Sequence, residues 1–192
     1  MESVCVYCGS SDRIKRVYIE AAREMGMAIA EKGYNLVYGA GSTGLMGAVA
    51  NGALEAGGEV IGVIPEIFNT PQLAHQGISK FEVVKDMHAR KARIAEISDG
   101  FIALPGGFGT LEELFEILTW AQIGIHAKPI GLLNTKGYYD ALLEFFEQIE
   151  KEGFMYAEHR SLYLCEREPE ELLASMSNYE PPEGLNRWID RI

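Results

Sequence analysis

Phe101-Ile102-Ala103-Leu104-Pro105-Gly106-Gly107-Phe108-Gly109-Thr110-Leu111-Glu112-Glu113 reads as a buried strand, a glycine-rich turn and the start of a helix. Its first four residues are apolar without alternation, the pattern of a strand covered on both faces in a parallel sheet. Three glycines within four positions let backbone amides approach a bound anion without interference from Cβ atoms. The turn runs straight into a helix N-terminus, whose free N–H groups and dipole favour phosphate. The stretch therefore predicts an α/β fold and a phosphate-bearing small-molecule ligand. Its end also fits a capping box, with Thr110 as N-cap and Glu113 three residues on, but a capping box accounts for none of the glycines.

Strand and helix alternate outward from this unit along the whole chain. Ser3–Tyr7 predicts a first strand, broken by Cys8-Gly9-Ser10-Ser11. Residues 14–31 have helical spacing, with Val17, Ala21, Met25 and Ala28 three or four apart, and Gly33 ends that helix. Further strands are predicted at 34–38, 60–64, 81–85, 100–104, 129–133 and 161–165, and further helices at 45–56, 86–98, 110–123, 138–151 and 169–176. Residues 65–80 lack clear periodicity and read as a long loop with room for a short helical turn, of a length that is often functional. The pattern gives one α/β domain over 1–180, a doubly wound, mainly parallel sheet of six or seven strands with helices on both faces, followed by an irregular tail at 181–192. Ligands in that architecture bind beyond the carboxyl ends of the strands at a topological switch point. The turns 9–11, 39–44 and 105–110 all follow strands and are expected to rim one crevice.

The 192 residues, 47% of them hydrophobic and 23% charged, suit a globular domain with a sizeable core. With 28 acidic against 17 basic residues, the net charge of −11 repels nucleic-acid backbones and anionic membranes, so neither is an expected partner. No apolar run approaches the roughly 20 residues of a membrane span, and the N-terminus reads as a core strand rather than a secretory leader. Three cysteines cannot all pair, which points to a reducing cytoplasm. Cys5 and Cys8 form a C-x-x-C, but three positions apart in a strand they face opposite sides and do not chelate together. His75, His88, His126 and His159 have no metal-ligand spacing, and neither a nucleophile elbow nor a Walker sequence is present.

Gly39-Ala40-Gly41-Ser42-Thr43-Gly44 fits G-x-G-x-x-G, with Glu66 near the end of the next strand where a dinucleotide ribose would want an acid. It follows the second strand rather than the first, and phosphate or ribose contact through Gly41 fits better than a dinucleotide site. In the helix at 86–98, Met87, Ile94 and Ile97 mark a buried stripe that also carries Arg90 and Lys91. A guanidinium aimed at a core is costly unless an anion pairs with it. Glu112, Glu113 and Glu116 would repel a phosphate, so at least one is expected to face a cation or another part of the ligand. His88 reads as a polar helix residue.

Met87-His88-Ala89-Arg90-Lys91 followed by Pro105-Gly106-Gly107-Phe108-Gly109-Thr110-Leu111-Glu112-Glu113 resembles the LOG ("Lonely Guy") family of cytokinin riboside 5′-monophosphate phosphoribohydrolases. The resemblance extends from Val4-Cys5-Val6-Tyr7-Cys8-Gly9-Ser10-Ser11 to Trp120–His126 and Lys128–Gly131. It implies a Rossmann-like fold, a homodimer, and hydrolysis of an adenine-type nucleoside 5′-monophosphate to free base and ribose 5-phosphate. It further implies a catalytic pair, Arg90 and Glu113, and substrate contacts at Lys91, Gly107, Phe108, Gly109, Thr110, Leu111, Glu112 and Thr119, beside Gly9, Ser10 and Gly41 of the other turns. The implied chemistry needs no metal or redox cofactor: a carboxylate stabilises an oxocarbenium-like ribose or activates water, and the glycine turn anchors the phosphate. One departure stands in the long loop, where Gln72 replaces a glutamate frequent in the family, which bears on recognition of the N6 substituent. Rival readings are a general AMP nucleosidase, a nucleotide or molybdenum-cofactor carrier, and, least supported, a pyridoxal-phosphate decarboxylase.

Overall fold

The computed structural model describes residues 1–183 and Leu185; positions 184 and 186–192 of the expected tail lie outside the described residues. Among the described residues seven strands form one sheet: β1 (Ser3–Tyr7), β2 (Asn35–Tyr38), β3 (Val60–Pro65), β4 (Lys80–Val84), β5 (Gly100–Ala103), β6 (Ile130–Leu133) and β7 (Leu164–Glu166). Their order is β4-β3-β2-β1-β5-β6-β7, and every pairing is parallel. The chain therefore steps outward from β1 to one edge, then returns to place β5 on the other side of β1. That reversal is the switch point, and the register of Tyr7 opposite Ala103 brings the loops after β1 and β5 side by side.

Helices cover both faces. α1 (Arg16–Glu31), α2 (Gly44–Glu55) and α6 (Pro169–Ser177) pack on one core with Val4, Val6 and Cys8. α3 (Met87–Ile97), α4 (Phe108–Gln122) and α5 (Asp140–Lys151) pack on the other with Cys5 and Tyr7. Alternation along β1 thus separates the two cysteines into opposite cores, as the sequence predicts, and both are free thiols. Full burial of Met25 and Ile29 on α1 contributes about 1.5–3 kcal/mol each.

Three local expectations need correction. α4 begins at Phe108 with Gly107 as N-cap, so Thr110 lies inside the first turn and no Thr110–Glu113 capping box forms. The glycine turn leaves the chain free to start the helix early, and Thr110 packs beneath Gly106 instead. α5 starts two residues late because Lys136 (φ 56°) and Gly137 (φ 71°) make a left-handed turn first. The segment 157–162 is a 3₁₀ turn, which pushes β7 to Leu164–Glu166. The long loop after β3 opens with a 3₁₀ turn, Glu66–Phe68.

α1 and α2 touch backbone to backbone at two glycines. A Cβ on Gly26 would sit 2.0 Å from the Val49 carbonyl oxygen, and one on Gly52 would sit 2.1 Å from that of Arg23. Overpacking against backbone cannot be relieved by a rotamer change. Gly26→Ala is expected to lower unfolding stability by about 1–3 kcal/mol in urea titration, at an unchanged m-value.

Candidate active site

A cleft of about 740 Å³ opens at the carboxyl edge of the sheet over the switch point. Its walls are the loop after β1 (Gly9, Ser10, Ser11), the turn after β5 (Pro105, Gly106, Gly107) and the start of α4 (Gly109, Thr110, Glu112, Glu113), with Arg90 from α3. Gly9 N–H donates to the Pro105 carbonyl at 3.2 Å, which fastens the two loops together. A Cβ on Gly106 would lie 2.0 Å from Thr110 Oγ1, whereas Gly107 and Gly109 face open space. No side chain caps α4, so its first-turn N–H groups are left without an internal partner beside the cleft.

Arg90 and Glu113 meet at the cleft floor. Arg90 Nη1 donates to Glu113 Oε1 at 2.7 Å, with both side chains 10% exposed, and Arg90 Nε donates to the Val63 carbonyl at 3.3 Å. A guanidinium on the buried stripe of α3 requires an anionic partner, and Glu113 is that partner. α3 is fixed at its start by Asp86, whose carboxylate accepts from Ala89 N–H at 2.9 Å. A Cβ on Gly39 would fall 1.9 Å from Arg90 Nη2, so the first glycine of G-x-G-x-x-G makes room for the guanidinium. Burial pushes the Glu113 carboxyl above the ordinary glutamate range, against the opposing pull of Arg90. Burial also holds the Tyr7 hydroxyl in its neutral form on the cleft wall.

The other candidate residues divide. Gly9, Ser10, Gly107, Gly109, Thr110 and Glu112 line the cleft. Lys91 stands behind that wall, with Nζ 2.5 Å from Glu112 and 2.9 Å from Glu116. Burial works against its ammonium, but the two carboxylates outweigh that and raise its pKa. The acidic cluster that looked wrong for a phosphate turn is thus answered by Arg90 and Lys91. Phe108 is 93% exposed outside the cleft, and Leu111 packs on the α4 side of the core. Thr119 donates to the Phe115 carbonyl at 2.7 Å and lines a separate cavity of about 140 Å³ with Phe154 and Tyr163. Gly41 bridges Ala74 in the long loop, and Ser42 Oγ meets the Gln72 carbonyl at 3.4 Å; none of these four lines the cleft. Glu66 is exposed and likewise absent from it, and His88 is an exposed helix residue.

Sequence reasoning missed several wall residues. Tyr7, Arg13, Lys15, Tyr18, Phe68 and Tyr138 line the cleft. The signal for Tyr138 was available: it follows Gly137 at the carboxyl end of β6, the strand beside β5. Among the described residues no group of three or more His, Cys, Asp or Glu side chains is arranged to hold a metal ion.

A family model described as "Possible lysine decarboxylase" matches residues 46–176. The chain is 47% identical, over 92% of its length and 84% of the relative's, to a "probable cytokinin riboside 5′-monophosphate phosphoribohydrolase" of Oryza sativa subsp. japonica. It is 45% identical to a cytokinin riboside 5′-monophosphate phosphoribohydrolase of Arabidopsis thaliana, covering 93% of this chain and 84% of that one. The molybdenum cofactor binding protein of Rippkaea orientalis superposes with a TM-score of 0.71 at 22% identity, covering 92% of this chain and 96% of the other, which is a likeness of fold. By the extent of the family match and of these identities, the chain belongs to the LOG family, the group that the sequence model describes as possible lysine decarboxylases.

Proposed function

We propose that this chain hydrolyses the N-glycosidic bond of a cytokinin-type adenine nucleoside 5′-monophosphate, releasing the free base and ribose 5-phosphate. The observation that carries the reading is the buried Arg90–Glu113 pair on the floor of a cleft walled by uncapped helix amides. A carrier needs the amides to hold phosphate; it has no use for a carboxylate paired at the ribose. The names of the relatives in rice and Arabidopsis support the same reaction. A pyridoxal-phosphate decarboxylase wants a lysine within the site, and among the described residues the lysine on the cleft wall, Lys15, is exposed.

In this reading the amides of Gly107, Gly109 and Thr110 anchor the 5′-phosphate, aided by Gly9 and Ser10, and remote binding energy positions the ribose. The bond from C1′ to the base nitrogen breaks with its electron pair leaving on the base. Glu113 steadies the positive charge that builds on the ribose and takes a proton from the water whose oxygen bonds C1′; that proton passes through solvent to the departing nitrogen, so that the base leaves neutral. A carboxyl raised by burial suits that role, because a base works best with a pKa near the working pH. Arg90 orients Glu113 and opposes its protonation. Lys91 and Glu112 tie α3 to the cleft rim.

The chain works as one unit over 1–180, as a cytoplasmic homodimer. Free thiols at Cys5, Cys8 and Cys165 suit a reducing compartment, and among the described residues no helix is long and apolar enough to cross a membrane. Exposed Phe108, Phe115, Ile125 and Phe154 support a partner surface on the α4 side, and Phe108, Leu111 and Thr119 would touch substrate only through that assembly. Gly41 acts through the loop it holds.

Purified protein incubated with N6-isopentenyl-AMP or with AMP is expected to yield free base and ribose 5-phosphate, faster from the former. Equal rates would favour a general AMP nucleosidase, and tight binding without turnover a carrier. Glu113→Gln and Arg90→Ala should each lower kcat by about 10²–10⁴, and full activity in Glu113→Gln would remove it from catalysis. The acid limb of the pH–kcat/KM profile, which reports the free enzyme, should lie above the ordinary glutamate range, since activity falls as pH drops through the raised Glu113 pKa. ¹³C NMR titration should find the Glu113 carboxyl pKa higher still in Arg90→Ala, because the opposing cation is gone.

A further inference from the structure

The carbonyl groups of the glycine turn are each held. Leu104 O accepts from Tyr139 Oη at 2.6 Å, Pro105 O from Gly9 N at 3.2 Å, and Gly106 O from Tyr138 Oη at 2.6 Å. A peptide unit is planar and trans, so its C=O and the following N–H point in opposite directions. Holding the Gly106 carbonyl therefore aims the Gly107 N–H. This peptide has glycine on both sides, so no side chain resists its rotation, and a flip would turn a carbonyl dipole where the amide had been. Gly107 meets no other atom within 4 Å of where a Cβ would stand, its own carbonyl is held by Leu111 N–H at 3.1 Å as α4 begins, and the Tyr138 hydroxyl is the side-chain group on the carbonyl of the Gly106–Gly107 peptide.

The two tyrosines are aimed by the turn after β6. Asn134 Oδ1 accepts from Tyr139 N–H at 2.7 Å while its Nδ2 donates to Asp140 at 2.7 Å, and the left-handed pair Lys136–Gly137 swings the chain back over the cleft. Tyr139 is buried, whereas Tyr138 is 43% exposed and lines the cleft, in edge contact with Tyr18. We propose that Tyr138 is a positioning residue that acts through the Gly106–Gly107 peptide to set the affinity of the site for the phosphate of its ligand. The proposal rests on the phosphate end of the hydrolase reading and is independent of turnover.

The test is Tyr138→Phe, which deletes one hydroxyl and keeps the ring. Calorimetric titration with ribose 5-phosphate should weaken roughly fivefold to tenfold, the loss of one hydrogen bond to a carbonyl that is then left free to turn. Adenosine, which lacks the phosphate, should bind the variant and the unaltered chain alike, and the thermal midpoint should not move. With a nucleotide substrate, KM should rise by the same factor while kcat holds. In ¹⁵N-glycine-labelled protein, the Gly107 amide resonance should shift on adding inorganic phosphate to the unaltered chain and shift less in the variant. Unchanged ribose 5-phosphate affinity would overturn the proposal, as would an equal loss for adenosine, which marks a structural defect alone. A chain that binds ribose 5-phosphate with the expected difference yet cleaves no nucleotide would refute the hydrolase reading and leave this one standing.

Discussion

An arginine and a glutamate withdrawn from water together, Arg90 and Glu113, set the terms for the rest of the site. Breaking such a pair by removing one partner leaves a buried charge unanswered, at about 3–5 kcal/mol. The surrounding fold is arranged so that neither loses the other. α3 is started by the Asp86 cap, β3 offers the Val63 carbonyl, and Gly39 withholds the side chain that would collide with the guanidinium. α4, begun early at the glycine turn, delivers Glu113 one turn below the open amides. The same helix start that favours phosphate thus also fixes where the carboxylate stands.

The two glycine loops divide their work. The one after β2 serves the protein itself: Gly39 admits Arg90, and Thr43 and Leu45 bond the carbonyls of Ser10 and Gly9. The one after β5 has its carbonyls tied by Gly9 and the two tyrosines and leads into the uncapped start of α4 beside the cleft. Local dipoles and paired cations therefore govern the cleft, although the whole chain carries a net charge of −11. Exposed Arg13 and Lys15 on the cleft wall add positive charge where an anion would enter.

The fold was legible because parallel strands buried on both faces are apolar throughout: β1, β2, β3, β5 and β6 are such runs, with β4 and β7 as less buried edges, and helical spacing lies between them. The partnered guanidinium was legible too, since Arg90 lies four residues before Ile94 on a buried stripe and a charge there requires an anion. What could not be read was tertiary. Thr110 and Glu113 satisfy a capping box in sequence, and only the packing of Thr110 under Gly106 shows why the helix begins two residues sooner. Room for a guanidinium at Gly39 depends on a residue in a different helix. The place of Tyr138 after β6 was legible, but the reach of its hydroxyl to the Gly106 carbonyl, and of Tyr139 to that of Leu104, depends on the left-handed turn at Lys136. Thr119 shares a helix with the catalytic candidates, but its turn of the helix faces another cavity.

The central claim is that phosphate sits on the turn amides while the Arg90–Glu113 pair meets the ribose. A crystal structure of the Glu113→Gln protein with an intact nucleoside 5′-monophosphate tests it directly. The phosphate should lie against the amides of Gly107 to Thr110, with C1′ of the ribose about 3–3.5 Å from the substituted side chain or from a water that it holds. A phosphate bound elsewhere, or a base stacked where C1′ should be, would contradict the account.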